Sequence, residues 1–311
     1  MTLRRFLIVL GVVLFSVAKA DSAPPTGHTD NIYALVVSPD GTQLVSASED
    51  NTAIVWETCK LTPRLRLEHS APVYDATFTP DGKKVITVDG TGRIALWNAE
   101  SGKKLRSWEA HKDAVYSVAV SSDGKQIATG GGDDDPSVRV WDLATGKVIY
   151  NLKGHSKSVY GVSFHPTQSL VASSSSDKTV RLWDLNSSKS LTLHGHTSHV
   201  YRCAFSPEGK LLATAGHDKT VRVWNTTTGE EVAVLKGSRE PIYAVVFSPD
   251  GKHIVAGGEQ RAVQRWSIPR YASRDAIPVP GRKPVYAVAA TPGRQQIIAA
   301  GADAKLHLFC E

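Results

Sequence analysis

Seven of the chain's nine tyrosines, Tyr33, Tyr74, Tyr116, Tyr160, Tyr201, Tyr243 and Tyr286, recur 41 to 44 residues apart. A phenol joins a rigid aromatic body to a polar tip, which suits a binding surface better than bond-making at neutral pH. The competing reading is packing, with the rings wedged between structural units inherited from a duplicated ancestor. Both readings stand at this stage. Histidine offers a second chemistry: His194, His196 and His199, with His217 from an adjacent turn, carry metal-ligating nitrogens. His194 falls on an expected edge strand, from which its side chain can diverge, and His196 belongs to another pattern, so no metal is assigned. Asp133, Asp134 and Asp135 could hold calcium, but a lone acidic run is more commonly a solvated turn.

Other chemistries leave no mark. The chain has no G-x-S-x-G elbow, no H-E-x-x-H, no phosphate-cradling glycine loop before a helix and no C-x-x-C-H, so neither catalytic residues nor a cofactor are assigned. The acids Glu49, Asp75, Asp89 and Asp133 to Asp135 fall in the first half, and Lys157, Arg202, Arg239, Arg282 and Lys283 in the second. Such a polarised field is expected to orient a partner.

What must position the tyrosines is a repeat. Trp56, Trp97, Trp141, Trp183, Trp224, Trp266 and then Phe309 follow one another at 41, 44, 42, 41, 42 and 43 residues. Between them recur turns spelled Ser38-Pro39-Asp40-Gly41, Thr79-Pro80-Asp81-Gly82, Ser206-Pro207-Glu208-Gly209 and Ser248-Pro249-Asp250-Gly251, with looser versions at Ser121, His165 and Thr291. In one unit, strands are expected at 159–164, 170–174, 179–183 and 190–194. Four short strands per unit, seven times over, leave no room for long helices. With 311 residues, 41% hydrophobic and 21% charged, the composition is globular.

The paired spellings Gly154-His155 with Trp183-Asp184, Gly195-His196 with Trp224-Asn225, and Gly27-His28 with Trp56-Glu57 make the chain resemble the WD-repeat β-propellers over residues 27–311. The resemblance implies an all-β, seven-bladed β-propeller of four-stranded antiparallel blades, closed by an N-terminal strand from Asp21 to Thr26. It also implies that each blade is knitted by a His, Ser or Thr, Asp and Trp tetrad. His155, Ser175, Asp177 and Trp183 match it fully, as do His28, Ser48, Asp50 and Trp56. His196, Asp218 and Trp224 match with Gly216 in place of the hydroxyl. His111 and Trp141 flank a lengthened turn, and His69 and Trp97 have Thr91 where the acid belongs. In the sixth and seventh blades Ser238, Gln260, Gly281 and Phe309 replace tetrad members, so packing is expected to hold them.

The resemblance further implies that the tyrosines, five residues past each His, ring the top mouth of a central channel where partners dock. The expected contact set is the seven tyrosines with Arg202, His199 and His217. The function expected is that of a monomeric scaffold that binds a protein or peptide, with no nucleic acid among its partners. A ligand-binding or hydrolytic propeller acting in the channel mouth is the second reading.

Residues 1–20 read separately. Arg4 and Arg5 precede an apolar run from Phe6 to Ala18 and an Ala18-Lys19-Ala20 cleavage signal. Thirteen residues make about 20 Å of helix, short of the roughly 30 Å hydrocarbon core, so a cleaved leader is expected, not a stable membrane span. The mature domain is then 21–311, exported to a periplasmic or extracellular space. Without Arg4, Arg5 and Lys19 the formal net charge of +6 falls to +3, too small to imply nucleic acid. Cys59, Cys203 and Cys310 are too few for a disulfide framework; a Cys59–Cys310 bridge across the ring closure is the one pairing expected to be possible.

Overall fold

The computed structural model describes residues 27–187, 189–293 and 296–310; the expected leader and the expected closing strand, Asp21 to Thr26, lie outside them. The described chain forms strands, turns and a single short 3-10 turn, Pro280–Arg282. The strands pair in chain order into six four-stranded antiparallel sheets and one sheet with three described strands, the seventh blade. The innermost strands are Ile32–Val37, Val73–Phe78, Val115–Val120, Val159–Phe164, Val200–Phe205, Ile242–Phe247 and Val285–Ala290. Each contacts the next and the last contacts the first, which closes the ring.

Blade four shows the local logic. Val159–Phe164, Leu170–Ser175, Val180–Asp184 and Lys189–Leu193 are joined by tight turns. The second strand is covered on both faces and is buried beyond its first residue, so its interior is small and β-branched: Val171, Ala172, Ser173, Ser174. The fourth strand, at the outer edge, begins with exposed Lys189 and Ser190, which discourage further pairing. In the turns, Gly41 donates its N–H to the Ser38 carbonyl (2.9 Å) at a φ of +73°, and Asp40 accepts the Ser38 hydroxyl (2.6 Å). Where serine is missing, His165 replaces it. Its Nδ1 accepts the Thr167 and Gln168 N–H groups (3.1 and 3.0 Å), and its Nε2 donates to the Gly209 carbonyl (3.1 Å).

The core is divided among the seams. Seven apolar clusters each straddle two neighbouring blades, and each periodic tryptophan faces the preceding blade: Trp97 packs with Val45 and Leu67 of blade one, Trp183 with Val138 and Val140 of blade three. Burying an aromatic of this size contributes about 1.5–3 kcal/mol per side chain. The closing seam is built alike, with Ile32, Leu44, Ile54 and Trp56 of blade one against Ala287, Ala289, Ile298 and Ala300 of blade seven. Side-chain packing thus joins the first and last blades, beside whatever strand pairing adds. Cys59 and Cys310 are exposed and unbridged, and Cys203 is a buried thiol whose pKa burial pushes up to about 12.

Candidate functional site

Five blades carry polar networks of Trp, hydroxyl, His and Asp, and these correct two of the expected members. In blade one Trp56 Nε1 donates to Ser46 Oγ (2.7 Å), Ser46 Oγ meets His28 Nε2 (2.6 Å) and His28 Nδ1 meets Asp50 (2.9 Å). In blade four the corresponding hydroxyl is Ser173, between Trp183 and His155 (2.8 and 2.7 Å), with Asp177 on His155 Nδ1 (2.8 Å). Ser48 and Ser175, the expected members, instead bind the backbone of the adjoining turns. Residues 46 and 48 point to the same side of their strand, so alternation cannot choose between them. The register does: Leu44 pairs with Trp56, which sets Ser46 on the diagonal to the indole.

The same two-residue displacement accounts for blades five and two. Thr214 fills the place that Gly216 was expected to leave empty in blade five. In blade two Asp89, two residues before Thr91, binds His69 (2.9 Å), and Thr87 supplies the hydroxyl. In blade three the lengthened turn still delivers Asp135 to within 3.2 Å of His111, while Arg139 shares that carboxylate (2.9 Å). Ala256 and Ala299 occupy the hydroxyl position in blades six and seven, and in blade seven Asp303 pairs instead with His307 of the third strand (2.6 Å).

Each network has the order of a hydrolytic triad, hydroxyl to imidazole to carboxylate, yet none is open to substrate. Ser46, Ser173, Thr87, Thr129 and Thr214 are all fully buried, and each hydroxyl oxygen is already engaged by a tryptophan N–H. Burial alone would raise the Asp50, Asp177 and Asp218 carboxyls. Hydrogen bonds from the histidine, the neighbouring threonine and the backbone outweigh it and hold all three well below the usual carboxylate range. His111 moves the other way, pushed down to about 4 by burial, with the Asp135 charge opposing.

The open site is the tyrosine ring. At every one of the seven tyrosines the innermost strand slips register by one residue, so Tyr33 falls between the pairs Ile32–Ser48 and Ala34–Ala47, and Tyr160 between Val159–Ser175 and Gly161–Ser174. A β-bulge re-aims the side chain that it leaves unpaired. Repeated seven times, it turns the phenols to one mouth, where neighbouring ring centroids lie 5.1–5.8 Å apart around a closed circle. The rings, all half-buried, line a cavity of about 370 Å³. The packing and binding readings are therefore compatible: each ring touches both neighbours and keeps a surface to the lumen.

The mouth has polar partners, of which sequence reasoning missed Glu259 and the pairing of Glu49 with a phenol. Glu49 accepts the Tyr33 hydroxyl, Glu259 the Tyr243 hydroxyl (3.0 Å), and His217 Nδ1 meets the Tyr201 hydroxyl (3.0 Å). Each partner stands sixteen residues after its tyrosine, a spacing visible in the sequence. Burial first, then Glu49, pushes the Tyr33 phenol up; Tyr243 is raised alike, with Glu259 in that role. Of the expected contact residues, His217 lies at the mouth. His199 is turned to Ser176 of the preceding blade (2.8 Å), and His196 is spent in its tetrad.

Arg202 does not stand free at the rim. Its guanidinium reaches across the channel to Asp75 of blade two (2.7 Å) and to Ser117 of blade three (3.2 Å), and Asp75 also accepts from Ser117 (2.8 Å). These three residues each follow a tyrosine, at a position elsewhere occupied by Ala or Gly. They form a strut below the ring. Of the acids expected to polarise the upper loops, Asp75 is paired with Arg202, Asp89 and Asp135 sit in tetrads, and Asp133 accepts from Ser158 (2.8 Å). The Arg282 side chain is outside the described residues.

Among the described residues no helix is long and apolar enough to cross a membrane. Residues 72–309 match a family profile described as IFT122 first beta-propeller, and residues 23–57 one described as WD domain, G-beta repeat. Relatives include periodic tryptophan protein 2 homolog of Mus musculus, 30% identical over 52% of this chain and 18% of its own length. WD repeat-containing protein SL1-17 of Schistosoma mansoni is 31% identical over 52% of this chain and 54% of its own. WD repeat-containing protein 26 homolog of Arabidopsis thaliana is 30% identical over 51% and 27%. The chain thus spans at most about half the length of these relatives.

Proposed function

The chain belongs to the WD-repeat β-propeller family, and from that premise we propose that it is an exported, non-enzymatic scaffold that captures a protein or peptide on its tyrosine-ringed mouth. One observation carries the docking reading: seven half-buried phenols close a circle around a cavity of about 370 Å³, and aromatic rings with polar tips are the side chains that most often anchor a partner. The sealing of every hydroxyl, imidazole and carboxylate set supports a binding role over hydrolysis. The export reading rests on the leader-like residues 1–20.

The test is affinity capture from the exported fraction with the wild-type chain and with a Tyr116→Ala, Tyr160→Ala, Tyr201→Ala triple variant, beside a broad hydrolase screen. The reading expects one partner retained by the former and lost by the latter. Turnover of a hydrolase substrate that disappears in the triple variant would overturn it in favour of chemistry at the mouth. N-terminal sequencing of the exported chain should begin at Asp21; a chain found in the cytoplasm with Met1 intact ends the export reading.

A further inference from the structure

The mouth is aromatic on every side, and its electrostatics have a sign. An aromatic ring carries a negative face, and a cation within about 6 Å of a ring centroid is drawn to it. Here seven rings, inclined to their neighbours by 35° to 70°, present a mixture of faces and edges to one cavity. Behind them stand carboxylates: Glu49 and Glu259 each hold a phenol hydrogen bond, in blades one and six, which flank blade seven on one arc of the ring. Asp113 and Asp133 lie near Tyr116, whose phenol is pushed up to about 12, first by burial and then by neighbouring tyrosines and these two acids. Burial and the Glu49 charge likewise raise Tyr74, and burial and the Glu259 charge raise Tyr286. Burial is the larger cause at each of these phenols, and the carboxylate charges add to it in the sense of a negative potential.

Among the described residues, Arg202 is the basic side chain that lines the cavity, and an acid holds it. It is paired with the buried Asp75 at 2.7 Å, so the floor is nearly neutral. Lys157 acts on Asp133. The volume, about 370 Å³, lies at the lower end for a small-molecule site and admits a side-chain terminus, not a folded element.

We infer that the tyrosine-ringed cavity receives an organic cation, the guanidinium or ammonium of an arginine or lysine side chain in the bound peptide. The inference rests on the docking reading above and deepens it. An anion would meet ring faces and carboxylates of its own sign. A neutral aliphatic chain would fill the space but leave Glu49 and Glu259 uncompensated by any new partner.

The experiment titrates the purified propeller at low ionic strength with four glycine-serine peptides that carry, at the centre, arginine, lysine, norleucine or glutamate. Tetramethylammonium, with neutral tert-butanol as its counterpart, serves as competitor, and the tyrosine ring resonances as readout. The arginine and lysine peptides are expected to bind at least tenfold tighter than the norleucine peptide, with tetramethylammonium and not tert-butanol competing. Glu49→Gln with Glu259→Gln, which keeps the phenol acceptors, should weaken the arginine peptide at least tenfold and leave the norleucine peptide within twofold. Tyr116→Phe, which keeps a ring, should bind within threefold of wild type, and Tyr116→Leu should not. Equal or tighter binding of the norleucine or glutamate peptide overturns the cation inference while the docking reading stands. Failure of all four peptides to perturb the tyrosine resonances removes both.

Discussion

The tetrad shell and the tyrosine mouth draw on the same chemistry, with histidine, carboxylate, hydroxyl and aromatic ring in each, and come to opposite ends. In the shell, Trp56, Ser46, His28 and Asp50 satisfy one another in a chain that water does not reach. At the mouth, Tyr33 and Tyr243 give their hydroxyls to Glu49 and Glu259 and keep ring surface open to the cavity. The difference is enclosure. A polar group sealed with its partners serves the fold, and the same group left beside open aromatic surface is available to a ligand. The strut between Arg202 and Asp75 belongs to the first kind although it sits in the channel with the second.

The largest effect is expected where that distinction is sharpest. Arg202→Ala leaves Asp75 buried without its cation and should cost roughly 3 kcal/mol or more in urea unfolding, whereas an Arg202→Met, Asp75→Leu pair should restore most of it. If the single variant unfolds like wild type, the strut is ornamental to stability.

Next is a pH effect confined to the shell. His111 is held neutral by burial, with its pKa lowered from 6.5 to about 4. The unfolded chain therefore binds the extra proton first as pH falls. The stabilisation is complete above about pH 6.5 and is lost progressively down to about pH 4, by roughly 3 kcal/mol at about 1.4 kcal/mol per pKa unit. His165, lowered by burial, adds in the same direction. Chemical unfolding at stepped pH should show this slope, and His111→Gln should flatten it; an equal slope in the variant assigns the effect elsewhere.

A blade-against-blade comparison is smaller. Asp177→Ala orphans the donors of a complete tetrad and should cost about 1 to 3 kcal/mol, while Gln260→Ala, in a blade without one, should stay within about 0.5 kcal/mol. Equal melting temperatures for the two would sink the tetrad argument. Smallest in stability but decisive for function, Tyr116→Ala, Tyr160→Ala and Tyr201→Ala together should weaken partner capture by well over 1 kcal/mol. Asp40→Ala, on the opposite face, should leave capture unchanged. A triple variant that melts far lower yet still binds with wild-type affinity makes the rings packing alone.

The period of the tryptophans and the spelling of the turns were enough to deduce seven blades of short antiparallel strands, because strand alternation, positive-φ glycines and aspartate-capped turns are local properties. The tyrosine phase was legible for the same reason, and so was the replacement of tetrad members in blades six and seven. What the sequence left open is contact between residues that no local rule relates. Ser46 and Ser48 are equivalent to alternation, and only the register against the third strand selects one. Asp75, Ser117 and Arg202 each follow a tyrosine, but no local rule pairs them, since 127 residues separate the acid from the base that closes on it. The bulge at each tyrosine is invisible in composition, yet it points seven phenols at one mouth. Local chemistry decided the units, and ring closure, which brings distant positions of equal phase to a common axis, decided which residues meet.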